Sequence, residues 1–400
     1  MKKWIAFLLL LALGLQLSAC TQVAAAEDLM DGITANKVET LPANHRFAAA
    51  NAQFSLALLQ HSYKSEETVV LSPYSALMAL AMTANGAQGE TRSQMEAAFG
   101  LPIDILNRYV AGLQTSEELQ SANSLWIREG LPVERNFLQT NADYYNASVY
   151  RANFDQKTVD DINAWVKKHT KERIDKIVNE IPPEAMLYLI NALSFDAKWA
   201  DPYEDTQVID DDFTAANGEV QTVEMLRSSE RRYLETAQAT GFMKAYEGNR
   251  YYYFALLPKE DVSMQACLEG LDGETLSALL REPQFEEVIT RMPKLKLEYA
   301  QSLNETLQAM GITEAFSETA DFSAMSEKSL KIDSVQQKVY FELDEQGTKA
   351  AAATSVTVEV GCSLMENEPK YVYLTRPHIM GIYDSENQCI LFLGIINSVN

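Results

Sequence analysis

DEQGTKAAAATSVTVEV, residues Asp344–Val360, lies about forty positions before the C-terminus. Alanine loses no side-chain entropy on ordering, so the run Ala350–Ala353 predicts helix. The residues that follow, Ser355–Val360, are mostly β-branched and alternate with period two, which predicts strand. One segment therefore carries two incompatible local preferences. Sequences tolerate such a conflict mainly where function demands it.

The rest of the chain sets the frame for that conflict. It has 400 residues, 47% of them hydrophobic and 22% charged, an ordinary composition for a globular protein with a sizeable core. The net charge of −23 leaves no cationic surplus to neutralise phosphates, which argues against nucleic acid as a partner. It fits attraction to cationic partners.

Residues 1–19 read as a targeting segment. Lys2 and Lys3 precede an apolar run, Trp4–Leu17, that is short for a membrane span. The run ends in Leu17-Ser18-Ala19-Cys20, which resembles the bacterial lipobox. Lipidation of Cys20 would anchor the mature chain at a cell surface or outer membrane, since several acyl chains hold far better than one. The other reading is a plain signal peptide with an incidental Cys. Beyond Cys20 only Cys267, Cys362 and Cys389 remain, an odd set without metal-type spacing. Cys267 and Cys389 are expected as buried thiols, and Cys362 lies in a polar stretch.

Residues 20–44 are Ala-rich and polar without a sustained period, and are expected to form a lipidated N-terminus and flexible tether. Extended, they would reach roughly 80 Å at about 3.3 Å per residue. From His45 no linker interrupts the chain, so residues 45–400 read as one domain. The first half reads mainly helical. Ala48–Leu59 has helical spacing, Ser72 is placed to cap a helix that starts at Pro73, and Val159–Val178 carries an amphipathic stripe. Strands dominate later: 186–193, 251–257, 288–296, 335–343, 370–374, 379–383 and 389–396. Leu303–Met310 reads as a short helix ended by Gly311. The mixture is α+β.

No catalytic motif marks an enzyme. The chain lacks G-x-S-x-G, H-E-x-x-H, a Walker loop and G-x-G-x-x-G, and it has four histidines. The run Asp210-Asp211-Asp212 lacks the spacing of a Ca²⁺ loop and reads as solvated charge. Nothing calls for a metal or a cofactor.

Several blocks, taken in order, resemble the serpin family. Glu345, Gly347, Thr348, Ala350, Ala351, Ala352, Ala353 and Thr354 are similar to the hinge of an inhibitory reactive-centre loop. Leu71–Ser75 and Asn85–Thr91 resemble the blocks around the second helix. Asn191–Trp199 is similar to the strand that runs to the breach tryptophan. Leu295–Phe316, Phe392–Gly394 and Asn397 extend the resemblance over residues 45–400. It implies three β-sheets with surrounding helices and an exposed loop. It also implies Ser72, Ser75, Asn191 and Gln337 in the shutter and Trp199 in the breach. Gln337 stands where a histidine is usual, His378 where Phe is usual, and Lys349 where the hinge commonly has Glu. The loop is slightly longer than in many relatives.

The resemblance implies a suicide inhibitor. A protease cleaves the loop, which then inserts as a strand into the central sheet and drags the acyl-enzyme away. Targets would be extracellular serine proteases, with cysteine proteases as a further class, captured by a monomer. The usual hinge-to-bait count places the reactive bond at Gly361–Cys362, or one residue on at Cys362–Ser363. Without Arg or Lys nearby, elastase-like or chymotrypsin-like enzymes fit better than trypsin-like ones. The opening stretch suits insertion. Thr348, Ala350, Ala352, Thr354, Val356, Val358 and Val360 are small or β-branched and uncharged, whereas Lys349 and Glu359 fall on the other face. Taken alone, that alternation also fits a static edge strand or an exposed Ala-rich helix. The alternative function is a non-inhibitory surface lipoprotein with this fold that binds a ligand or partner.

Overall fold

The computed structural model describes residues 26–348 and 368–399. The leader, Cys20, the hinge residues Ala350–Thr354 and the candidate bond residues Gly361, Cys362 and Ser363 lie outside the described residues.

The strand Leu187–Phe195 shows why the central sheet forms. All nine of its residues are buried. Leu187, Leu189, Leu193 and Phe195 enter the main core, whereas Tyr188, Ile190 and Ala192 enter a smaller cluster on the opposite face, with Trp126, Ile162 and Trp165. A strand covered on both faces reads as a continuous apolar run. Leu119–Arg128 lies antiparallel on one side of it. Ser334–Leu343 lies parallel on the other, paired from Ser334↔Tyr188 to Val339↔Leu193. Leu295–Ser302 flanks Ser334–Leu343, and Ser148–Ala152 with Glu27–Asp28 closes the far edge.

Among the described residues the second and third sheets are joined through one long strand into a single nine-stranded hydrogen-bonded sheet. The 16-residue Val220–Glu235 pairs through its first half with Val208–Thr214 and through its last residues with Ala239–Ala245. Tyr251–Pro258, His378–Asp384 and Cys389–Ile396 continue the sheet and are buried throughout. The first helix is His45–Ser62. The helix Pro73–Ala84 begins as its sequence predicts, with the Ser72 hydroxyl accepting from the Ser75 amide and Pro73 at the first helical position. Among the described residues no helix is long and apolar enough to cross a membrane. Cys267 and Cys389 are buried free thiols.

Three expectations are corrected. The helix expected over Val159–Val178 is Gln156–His169. Lys171 and Glu172 take left-handed backbone angles that end it, and the Asn163 carboxamide ties the returning chain at Ile177 and Val178. Ile174 and Val178 still reach the small cluster, which is why the stripe looked longer. The single strand expected over 288–296 is two, Gln284–Pro293 and Leu295–Ser302, in different sheets and broken at Lys294. The tether does not extend to residue 44. Glu27–Asp28 adds an edge strand, the Leu29 amide donates to the Val149 carbonyl and the Leu41 amide to the Arg108 carbonyl, and Asn36 holds Asp143. Leu29, Met30, Ile33 and Leu41 pack on the core without any period.

Among the strands not expected from the sequence, Leu119–Arg128, Ser148–Ala152 and Val208–Thr214 have no clear alternation. The acidic run lies in the last of these, where Asp211 pairs with Arg291.

Candidate functional site

The hinge sequence begins with a tight turn. The Asp344 carboxylate accepts from the Gln346 and Gly347 amides, and the Asp344 amide donates to the Gly347 carbonyl at 2.9 Å. Gly347 is required by close approach, since a Cβ there would meet the Ala197 carbonyl oxygen at 2.1 Å. The turn delivers Gly347–Thr348 as a two-residue strand between two neighbours. Thr348 pairs with Leu343 on one side and Ala197 on the other, antiparallel to both.

The hinge is therefore already inside the central sheet at its upper end. Thr348 is 2% exposed, and its hydroxyl is 2.6 Å from the Tyr246 hydroxyl. Trp199 stacks on Tyr246 at 4.3 Å and clamps the turn. Its indole N–H donates to the Asp344 carbonyl and its amide to the Gln346 carbonyl, both at 2.9 Å. The Tyr203 amide donates to the Glu345 carbonyl. Behind Trp199 and Tyr203, the buried Lys244 ammonium lies over both rings and pairs with Glu230 at 2.9 Å. Lys294, at the strand break, reaches Glu345 at 2.7 Å and Glu224 at 3.1 Å. Partial burial disfavours the Glu345 charge, but the Lys294 ammonium overrides it and holds the carboxyl below its ordinary range.

Below the hinge the sheet is shut. Ser334–Val339 pairs directly with Tyr188–Leu193, and Gln337 stands opposite Asn191. The Gln337 carboxamide accepts from the Ser72 amide at 3.1 Å and donates to the Ser72 carbonyl and to Asn191 Oδ1, both at 2.9 Å. Gln337 can satisfy both backbone groups of Ser72 because a carboxamide carries an acceptor and a donor on one carbon. The two ring nitrogens of a histidine point away from each other and cannot both face that pair. Ser72 caps its helix, and the Ser75 hydroxyl donates to Asn123 Oδ1 at 2.9 Å. Asn191 Nδ2 is buried without a partner among the described residues.

Ser72, Ser75, Asn191 and Gln337 are thus brought together, and Trp199 separately grips Asp344 and Gln346 of the turn that delivers Gly347 and Thr348 at the upper end. Sequence reasoning missed Tyr203, Lys244, Tyr246, Glu230 and Lys294. Only Lys294 left a signal, as a charge isolated between two strand halves.

The arrangement has a mechanical meaning. Between Val339 and Leu343, Thr348 wedges apart two strands that are parallel below it. A chain continuing down from Thr348 would replace one parallel pairing with two antiparallel ones, which are slightly more stable per residue. It would first have to part Gln337 from Asn191.

Comparison with known proteins agrees with this geometry. The family model described as serpin (serine protease inhibitor) matches residues 49–399. A serpin-like protein of Thermococcus kodakarensis is 30% identical over 383 residues, covering 92% of this chain and 89% of that protein. The crystal structure of the thermophilic serpin tengpin in its native state is 40% identical, with a TM-score of 0.87 over 94% of this chain and 100% of the other. Tengpin in its latent state aligns with a TM-score of 0.78 at 38% identity, over 90% of this chain and 100% of that one. With its fold, its shutter contacts and these relatives taken together, the chain belongs to the serpin family.

Proposed function

We propose that this protein is a trapping inhibitor of extracellular serine proteases, elastase-like or chymotrypsin-like, anchored to a cell surface through lipid on Cys20. The observation that carries the reading is the seat of Thr348. Its burial sets the phase of a continuing strand, so the even-numbered residues to Val360 would face the core and Lys349 and Glu359 would face outward. None of the inward group is charged or long, so insertion meets no desolvation barrier. The bait bond is Gly361–Cys362, or Cys362–Ser363, and its small and medium side chains suit a shallow apolar pocket. An acidic inhibitor of net charge −23 is steered toward cationic proteases.

The test mixes the mature chain with elastase-like, chymotrypsin-like and trypsin-like proteases. A complex that survives denaturing electrophoresis supports trapping, and the mass of the released C-terminal peptide identifies the bond. Cleavage without a complex by every enzyme favours the second reading, a binding protein. One observation favours that reading: a cavity of about 950 Å³ lies among Tyr74, Met78, Met82, Leu113, Leu119 and Trp165, which is within the size range of small-molecule sites.

A further inference from the structure

The seated N-terminal segment changes what a lipid on Cys20 would do. Six residues, 20–25, precede Ala26, whose amide donates to Asp161 Oδ2 on the helix Gln156–His169 at 3.1 Å. Glu27 and Asp28 then pair with Arg151 and Tyr150, and the Arg151 guanidinium meets Glu27 at 3.0 Å. Six extended residues reach about 20 Å, a quarter of the span that a free tether to residue 44 would have.

The register fixes where that short lead begins. Arg151 pairs with Ile127, and Ile127 with Leu187, at the lower end of the central sheet. The hinge pairs with Ala197–Lys198, ten residues further along, which is about 33 Å at 3.3 Å per residue. Glu27–Asp28 runs antiparallel to Ser148–Ala152, whose last residues lie at that lower end. Traced backward from Asp28 to Ala26, the chain therefore heads away from the hinge.

We infer that the seated segment makes the lipid anchor a short and directed mount. The bilayer carrying the anchor faces the lower end of the central sheet, within about 20 Å of it, and the hinge end points outward, where a soluble protease meets it. The inference rests on lipidation of Cys20 and on the trapping reading. Its own geometry is separable from both.

The test joins the chain from Cys20, carrying Cys362→Ser, through the Cys20 thiol to a maleimide lipid in a supported phosphatidylcholine bilayer. Neutron reflectometry then measures the gap between bilayer and protein. The expected gap is at most about 20 Å, and it widens to about 30 Å when Ala26→Pro and Asp28→Pro remove the edge pairing. Equal gaps for the two proteins overturn the inference, provided calorimetry shows both folded. A protease that cuts the loop should do so at rates within about twofold for mounted and free protein, because a hinge end about 33 Å beyond the lower end of the sheet stands clear of the bilayer. Strong protection of the mounted loop overturns the outward orientation. Loss of trapping by the free protein with Cys362 unchanged speaks against the proposed function and leaves the gap measurement intact. The mass of the N-terminal peptide from host membranes tests lipidation separately.

Discussion

The two halves of the join between Leu187–Phe195 and Ser334–Leu343 are built in opposite ways. The lower half is a continuous parallel ladder, locked by one carboxamide that serves a helix cap and a facing strand. The upper half has no such ladder and already holds Gly347–Thr348. The difference teaches that the resistance to strand insertion lies below the hinge. The upper end is held by side chains that grip the turn, namely Trp199, Tyr246 and Lys294.

The sharpest way to break that comparison is at Thr348. Thr348→Arg would put a guanidinium into the buried seat beside Tyr246 that Thr348 already occupies, so the hinge would leave the sheet and insertion would have to bury that charge. The expected outcome is a substrate: cleavage continues, and the stoichiometry of inhibition rises about tenfold or more. A variant that still traps one-to-one contradicts the inserted hinge.

Gln337→Ala attacks the closed half. It strips partners from the Ser72 amide, the Ser72 carbonyl and Asn191 Oδ1. The expected cost is on the order of 3 kcal/mol in the intact protein, measured by denaturant unfolding. A smaller cost, by about 1 kcal/mol, is expected after loop cleavage, because insertion parts Gln337 from Asn191 anyway. Equal losses in both forms would mean that the clamp does not guard the opening.

His378 supplies a contrast remote from both halves. It is fully buried beside Phe213, its Nδ1 meets the Arg376 carbonyl, and its Nε2 has no partner. Burial pushes its pKa down to about 4. The unfolded chain takes up that proton near pH 6.5 and the folded one does not. Stability from this residue is therefore complete above pH 6.5 and falls as the pH drops toward 4, by about 3 kcal/mol. His378→Phe should flatten that fall in thermal melts across pH 4–7 and leave trapping unchanged.

The smallest effect belongs to the latch. Glu345→Gln breaks a pair with Lys294 in which each side chain keeps about a quarter of its exposure. The expected loss at pH 7 is under about 1 kcal/mol. Because the Glu345 pKa lies below its ordinary value, this contribution is present above the carboxylate range and disappears as the pH falls through it.

Much of this was legible in the sequence where a local rule and a tertiary role coincide. Ser72-Pro73 announces a capped helix, and that cap is also what Gln337 holds. The apolar run at Leu187–Phe195 stands out because both faces are buried. The conflict at Ala350–Val360 marks the segment that follows the inserted hinge. What stayed hidden depends on partners distant in sequence. Tyr246 matters only because Thr348 and Trp199 meet it, and no spacing joins those three residues. The segment 26–44 lacks periodicity because, apart from Glu27–Asp28, it packs Leu29, Met30, Ile33 and Leu41 on the core as irregular chain. Lys294 breaks a strand that propensity would continue, since its ammonium serves two carboxylates, one from each of the sheets it joins.

The most direct test of the central claim, that the sheet waits for one more strand, is calorimetry of intact and loop-cleaved protein. At about 1 kcal/mol net per backbone hydrogen bond, a new strand bonded on both sides contributes on the order of 10 kcal/mol. At about 2 °C per kcal/mol for a large domain, the Tm of the cleaved form should rise by about 20 °C. Equal melting temperatures before and after cleavage would contradict the account.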